Sequence, residues 1–263
     1  MNFIDVNGAG LRYELSGTGE RTVVLIHEMG GSLESWDAVA PVLARSRRVL
    51  RYDTRGAGLS EKARGTLSID TMVDDLAALL DALGITDKVA LAGVAVGGAI
   101  ALHAAVRLPQ RICAAIVGSP ATGIAPDRRA AVLARVERIE REGMRMAVED
   151  SMANGYAPEL RTDPARFAAF RARWLGNDPA SYAAIYRMLI GMDLAPELAR
   201  IACPVLVLGG ALDRVRPPAL AEPVARAIPG AQFRVLETGH YMAVATPELV
   251  TNAITQFLDA ADA

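Results

Sequence analysis

The chain has 263 residues, 52% of them hydrophobic and 22% charged, with a formal net charge of −2. That is enough chain for one large domain with an insertion, and too much for a small disulfide-stapled module. The balanced charge lacks the basic excess that nucleic acid or an anionic membrane surface calls for, which leaves a small-molecule substrate as the expected partner and both monomer and homo-oligomer open.

The start, Met1-Asn2-Phe3-Ile4-Asp5-Val6, lacks a basic segment followed by an apolar one, and no uncharged apolar run approaches the roughly 20 residues needed to cross a bilayer, so a cytoplasmic protein is expected. Apolar strand runs at 11–15, 22–27, 48–52, 89–93 and 114–117 alternate with helical spacing at 36–44, 69–83 and 99–106. Such alternation predicts an α/β fold, a mostly parallel sheet with helices on both faces. Cys113 and Cys203 sit in apolar strand-like runs and are expected as two buried thiols, with no spacing that suggests a metal site. From 120 to 200 strand candidates nearly vanish, and charged helices at 127–141, 164–174 and 178–190 follow one another. Alternation resumes at 205–209, 218–227, 232–236 and 248–258, with Thr246-Pro247-Glu248 as a helix start. The predicted organisation is a core of 1–119 and 201–263 interrupted by a helical cap at 120–200, placed to roof a pocket at the carboxyl ends of the strands.

The sequence Gly93-Val94-Ala95-Val96-Gly97 lies between a predicted strand and a predicted helix. Strand, glycine turn and helix together form the frame of a nucleophile elbow, but Ala95 stands where a serine is usual. After the third strand comes Ile26-His27-Glu28-Met29-Gly30-Gly31-Ser32, and after the fourth Asp53-Thr54-Arg55-Gly56-Ala57-Gly58-Leu59-Ser60. Gly209-Gly210-Ala211-Leu212-Asp213 ends a later strand, and Gly239-His240 precedes the last helix. In this order and spacing the chain resembles the α/β-hydrolase fold superfamily over nearly its whole length.

The resemblance implies a set of site residues. Asp213 is the acid and His240 the base of a triad whose nucleophile position is Ala95. The backbone N–H groups of Met29 and Val96 form an oxyanion hole, a device that the loss of a hydroxyl at Ala95 leaves intact. Glu28 stands where the family usually has glycine; it is either a surface-turned loop carboxylate, or one neutralised by an arginine, or it faces the pocket toward Ala95, where burial would raise its pKa and suit it to proton transfer. Asp53 and Arg55 resemble the family's loop-stabilising polar pair; His27 reads as a structural hydrogen bonder and His103 as packed or solvated. The arginines at 128, 129, 135, 138 and 141 form a mostly solvated helix face, from which one or two, with Arg187, could reach a substrate carboxylate. Met144, Trp174 and Tyr186 are candidates to line cap and pocket, with plain core packing as the alternative.

Three functions remain in view. The first is an enzyme without a serine nucleophile, in which His240 activates water or a substrate proton. Its resemblance to 3-oxoadipate enol-lactonases and aminoacrylate hydrolases implies a small carboxylate, enamine, lactone or amide substrate, and no metal or other cofactor is expected. The second is a serine esterase, lactonase or amidase inactivated by an alanine at position 95, and the third a binding protein without turnover. Hydrolysis that persists with Ala95 and disappears in His240→Ala separates the first from the others.

Overall fold

The computed structural model describes residues 2–262. The chain begins with two antiparallel strands, β1 (Asn2–Val6) and β2 (Ala9–Ser16), and continues through β3 (Thr22–Ile26), a 3-10 turn (Leu33–Trp36), α1 (Ala40–Leu43), β4 (Arg48–Tyr52), α2 (Ile69–Ala82), β5 (Val89–Val94), α3 (Val96–Arg107) and β6 (Ile112–Gly118). Four helices follow without a strand: α4 (Pro126–Glu142), α5 (Arg145–Gly155), α6 (Pro164–Leu175) and α7 (Pro179–Gly191). Then come β7 (Val205–Gly210), α8 (Pro218–Ala227), β8 (Gln232–Leu236), α9 (Met242–Ala245) and α10 (Pro247–Asp262).

The strands form one sheet in the order β1-β2-β4-β3-β5-β6-β7-β8. Pairing is antiparallel from β1 to β4 and parallel from β4 onward. The central strands have the sequences expected of elements covered on both faces: every residue of β3 (TVVLI), β5 (VALAGV) and β7 (VLVLGG) is buried. Each such Val or Leu side chain stabilises the fold by roughly 1.5–3 kcal/mol. One face packs against α2, α3 and α8, the other against α1 and α10. A third apolar cluster lies among the helices between β6 and β7, where Tyr156, Phe170, Trp174 and Tyr182 meet Tyr241 of the core.

Several elements depart from the sequence expectation. The stretch 36–44 is a 3-10 turn and a four-residue helix rather than one continuous helix, with Val39, between them, wholly buried. The strand β1 and the helix α5 carry weak periodicity and were not expected. Cys113 is exposed and Cys203 half-buried. The pairing of β6 with β5 steps from Ile112 to Ala114, so Cys113 falls in a bulge that turns it outward. Burial still pushes the Cys203 thiol up to about 11. Among the described residues no helix is long and apolar enough to cross a membrane.

Candidate active site

Ala95 joins β5 to α3 with φ 52° and ψ −109°, a conformation that L-residues rarely adopt and that costs on the order of 1–3 kcal/mol. The neighbouring strands hold it there: Ala95 N–H donates to Gly118 O (2.9 Å), and Ala121 N–H donates to Ala95 O (3.0 Å). Close approach of strand and helix demands glycine on both sides. A Cβ on Gly93 would lie 2.2 Å from Gly97 O, and one on Gly97 would lie 2.3 Å from Ile26 O. The methyl group of Ala95 is thereby presented to a cavity above the strand ends.

Two loops after β7 and β8 supply the acid and the base. Asp213 accepts hydrogen bonds at Oδ1 from the amides of Val215 and Arg216 (both 2.8 Å), and its Oδ2 lies 2.8 Å from His240 Nδ1. Burial pushes the Asp213 carboxyl up, but the charge and hydrogen bond of His240 and the Arg216 amide outweigh it and hold the group below its ordinary value. An ionised carboxylate fixes the proton of His240 on Nδ1, which makes Nε2 the basic nitrogen. His240 lines the cavity, and Nε2 has no partner among the described residues. Its backbone is tied to the helices, because His240 N–H and Tyr241 N–H both donate to Gly155 O (2.8 and 3.2 Å).

Met29 and Val96 also line the cavity, and neither backbone N–H has an acceptor among the described residues. Val96 opens α3, where first-turn amides lack a partner within the helix. The loop that carries Met29 is clamped from below and above. His27 Nδ1 contacts Glu28 O (2.7 Å), and the Thr54 amide donates to His27 Nε2 (3.1 Å), so His27 is a structural bonder. Asn177 Nδ2 donates to Gly30 O (2.9 Å), and Trp174 packs so close that a Cβ on Gly30 would lie 2.4 Å from its indole nitrogen.

Several candidates stand elsewhere. Glu28 is buried but does not line the cavity; its Oε1 accepts from Ser35 Oγ (2.8 Å) behind the loop, while Oε2 has no hydrogen-bond partner. Neither a pocket-lining nor a surface-turned Glu28 is found: the carboxyl is buried in the space that the missing side chain of Gly31 leaves, beside Ser35. Trp174 and Met144 belong to the aromatic cluster rather than the cavity wall, and Arg187 makes a two-pronged ion pair with Glu140 (both 2.6 Å) at the surface. Of those four substrate-contact candidates only Tyr186 lines the cavity. Asp53 and Arg55 do not pair with each other. Asp53 takes the amides of Leu33 and Leu59 and the guanidinium of Arg12, whereas Arg55 binds Asp75.

The cavity has a volume of about 810 Å³ and contains residues that the sequence reading did not single out. Tyr182 and Tyr241 contribute buried phenols held neutral, Tyr241 by burial first and by the charge of Glu28 second. Arg135 reaches the cavity while donating to Asp150 (2.7 Å) and Ser151 (3.1 Å), so it is not part of a purely solvated face. Arg128, Arg129, Arg214 and Arg216 complete a strongly cationic lining. The reach of Arg128, Arg129 and Arg135 to the cavity is among the sequence expectations, whereas Arg214 and Arg216 are not singled out there. Among the described residues no group of three or more His, Cys, Asp or Glu converges as a metal-ligand set.

Comparison with known proteins finds relatives along nearly the whole chain. A family model described as serine aminopeptidase, S33, matches residues 18–240. A curated relative, 3-oxoadipate enol-lactonase 2 of Acinetobacter baylyi, is 28% identical over 93% of this chain and 91% of its own length. The crystal structure of an enol-lactonase from Burkholderia xenovorans superposes with a TM-score of 0.91 at 28% identity, covering 98% of this chain and 100% of that one. A thermophilic esterase from Thermogutta terrifontis, solved with malate bound, superposes with a TM-score of 0.93 at 30% identity over 99% of both chains.

Proposed function

Because the chain belongs to the serine aminopeptidase S33 family, within the α/β-hydrolase superfamily, we propose that it is a hydrolase of small carbonyl substrates that uses water directly in place of a serine. One observation carries this reading. A His240–Asp213 pair at 2.8 Å and two unpartnered backbone amides converge on a cavity whose elbow residue, Ala95, has no hydroxyl.

In the proposed reaction the substrate carbonyl oxygen lies against the amides of Met29 and Val96, and a water molecule occupies the space over the Ala95 methyl. His240 Nε2 takes a proton from this water as its oxygen bonds to the carbonyl carbon. The oxyanion gains stabilisation from the two amides, and the new imidazolium from the Asp213 carboxylate. Collapse breaks the bond to the leaving oxygen or nitrogen, which receives the proton from His240. No acyl-enzyme forms. The helices at 120–200 act as a cap that restricts bulk water, which strengthens each of these electrostatic contacts. The enol-lactonase and esterase among the relatives support an ester-type bond, and a lactone, enamine or amide carrying a carboxylate is the substrate class we favour.

A second reading, a serine hydrolase inactivated by alanine at position 95, is favoured by the strained backbone retained there. Steady-state hydrolysis of p-nitrophenyl acetate and small lactones separates the two. The parent chain should turn over, His240→Ala should lose about 10²- to 10⁴-fold in kcat, and Ala95→Ser should gain little. A parent without turnover, together with an Ala95→Ser variant that hydrolyses and labels with a fluorophosphonate, would establish the second reading instead.

A further inference from the structure

Two parts of the cavity lining differ in chemistry. One part of the lining is Ala95, Met29, Val96 and His240, and another is contributed by α4, the 214–216 loop and α8. Around the second part, cations outnumber the carboxylates that could neutralise them. Arg135 is engaged by Asp150 and Ser151, and Arg129 donates through Nε to Ile124 O (3.1 Å). Arg216 has no such partner: its Nε is buried without a hydrogen bond. The nearby carboxylate, Asp213, is saturated, with Oδ1 occupied by two amides and Oδ2 by His240. Arg128 lines the same space, and its side chain also makes no hydrogen bond or ion pair among the described residues. Burial disfavours the charge on Arg216 most, the nearby Asp213 carboxylate favours it, and Arg128 disfavours it again, which leaves the group below its ordinary value. Neither guanidinium is hydrogen-bonded to a carboxylate, both line a cavity that also contains the exposed Pro223 and the buried Val224, and their unfilled donors suit an anion.

We propose that Arg216, with Arg128 at the rim, is a carboxylate-binding subsite, so that the substrate is an acid whose carboxylate is remote from its reactive carbonyl. The subsite rests on the reading that this carbonyl lies between Met29 and Val96. The carboxylate would dock two-pronged on Arg216, displace water from the buried Nε, and be screened from Asp213 by the guanidinium itself. An apolar middle section of substrate would meet Leu189 and Met192, which also line the cavity. An anion-selective mouth on a chain of net charge −2 also attracts the substrate locally while the remaining surface does not.

Binding can be read without turnover by calorimetric titration of the full chain with 5-oxohexanoate, whose ketone cannot be cleaved, and with its neutral amide. The parent should bind the anion at least tenfold more tightly than the amide. Arg216→Gln should weaken the anion by about 10- to 100-fold while the amide changes less than threefold, Arg216→Lys should fall between, and Arg128→Gln should cost several-fold. Equal binding of anion and amide by the parent, or an unaltered preference in Arg216→Gln, overturns the subsite. Should Arg216→Gln lose both probes equally through disturbance of Asp213, Arg128→Gln decides: full discrimination in that variant also overturns it. Inorganic phosphate competing as well as 5-oxohexanoate overturns the assignment to carboxylate. Anion selectivity in a chain that hydrolyses nothing removes the proposed function and leaves the subsite standing; hydrolysis without anion selectivity does the reverse.

Discussion

The wall of the cavity that the sheet supplies is positioned by backbone, whereas the wall that the helices between β6 and β7 supply is positioned by side chains. On the sheet side, Ala95 is fixed by amide and carbonyl groups of β6 and by the glycines that let α3 press against β5. On the helical side, Asn177, Trp174, Arg135 and the tyrosines do the fixing. The difference predicts where the molecule tolerates change. Alteration of the sheet side should endanger the fold, and alteration of the helical side should change what the site binds or how well it is aligned.

The sharpest test of this contrast is Gly97→Ala. The added methyl meets two carbonyl oxygens, Ile26 O at 2.3 Å and His27 O at 2.7 Å, and neither can rotate away. A loss of about 3 kcal/mol, or roughly 10 °C in thermal midpoint, is expected in a calorimetric scan. An unchanged midpoint would break the comparison.

A smaller effect on the same side is expected from Glu34→Gln. Glu34 pairs with Arg12 beneath the glycine-rich loop. Burial pushes its carboxyl up, but hydrogen bonds from Arg12 and Ser32 outweigh it and hold the group down at about 2. Because the folded value is depressed, the stabilisation is present above the unfolded value of about 4.5 and is lost as pH falls toward about 2. Urea unfolding of the variant should show a deficit on the order of 2 kcal/mol at pH 7 that vanishes near pH 2. A deficit independent of pH would mean that packing, not charge, gives Glu34 its importance.

The smallest effect on stability, and the one that sharpens the contrast, is Asn177→Ala. It removes the bond to Gly30 O and with it one restraint on the Met29 amide. About 1 kcal/mol of stability and a several-fold fall in kcat are expected, with KM nearly unchanged. A rise in KM alone would place Asn177 in substrate binding instead.

The same division explains what could be read from the sequence. Ala95, Asp213 and His240 each follow a short apolar run and a glycine-bearing turn, which puts them at strand ends, and the resemblance to the superfamily supplied their roles. The fold brings Ala95 and His240 to one cavity, with Asp213 behind the histidine. Trp174, Met144 and Arg187 lie on helices, where the side facing a cavity depends on packing between helices that periodicity does not encode. Trp174 turned toward Gly30 and Arg187 toward Glu140. Arg135 looked like part of a solvated face because its partners, Asp150 and Ser151, come from the next helix. Arg216 was legible in principle, only three residues past the acid, yet nothing local marks a guanidinium as lacking a counter-ion. Glu28 was conspicuous as a departure from the family pattern, but Ser35, seven residues on, determined its direction.

The carbonyl of Gly155 deserves to be followed further. It holds the amides of both His240 and Tyr241, so a single oxygen at the end of α5 anchors the base from the opposite wall. An outward swing of α5 to admit substrate would strip that anchor and leave the imidazole misaligned at the moment of arrival. The position of α5 and the alignment of the imidazole are therefore tied through one oxygen, so that a displacement of the first disturbs the second. The histidine thus works as an interlock between the door and the machine behind it.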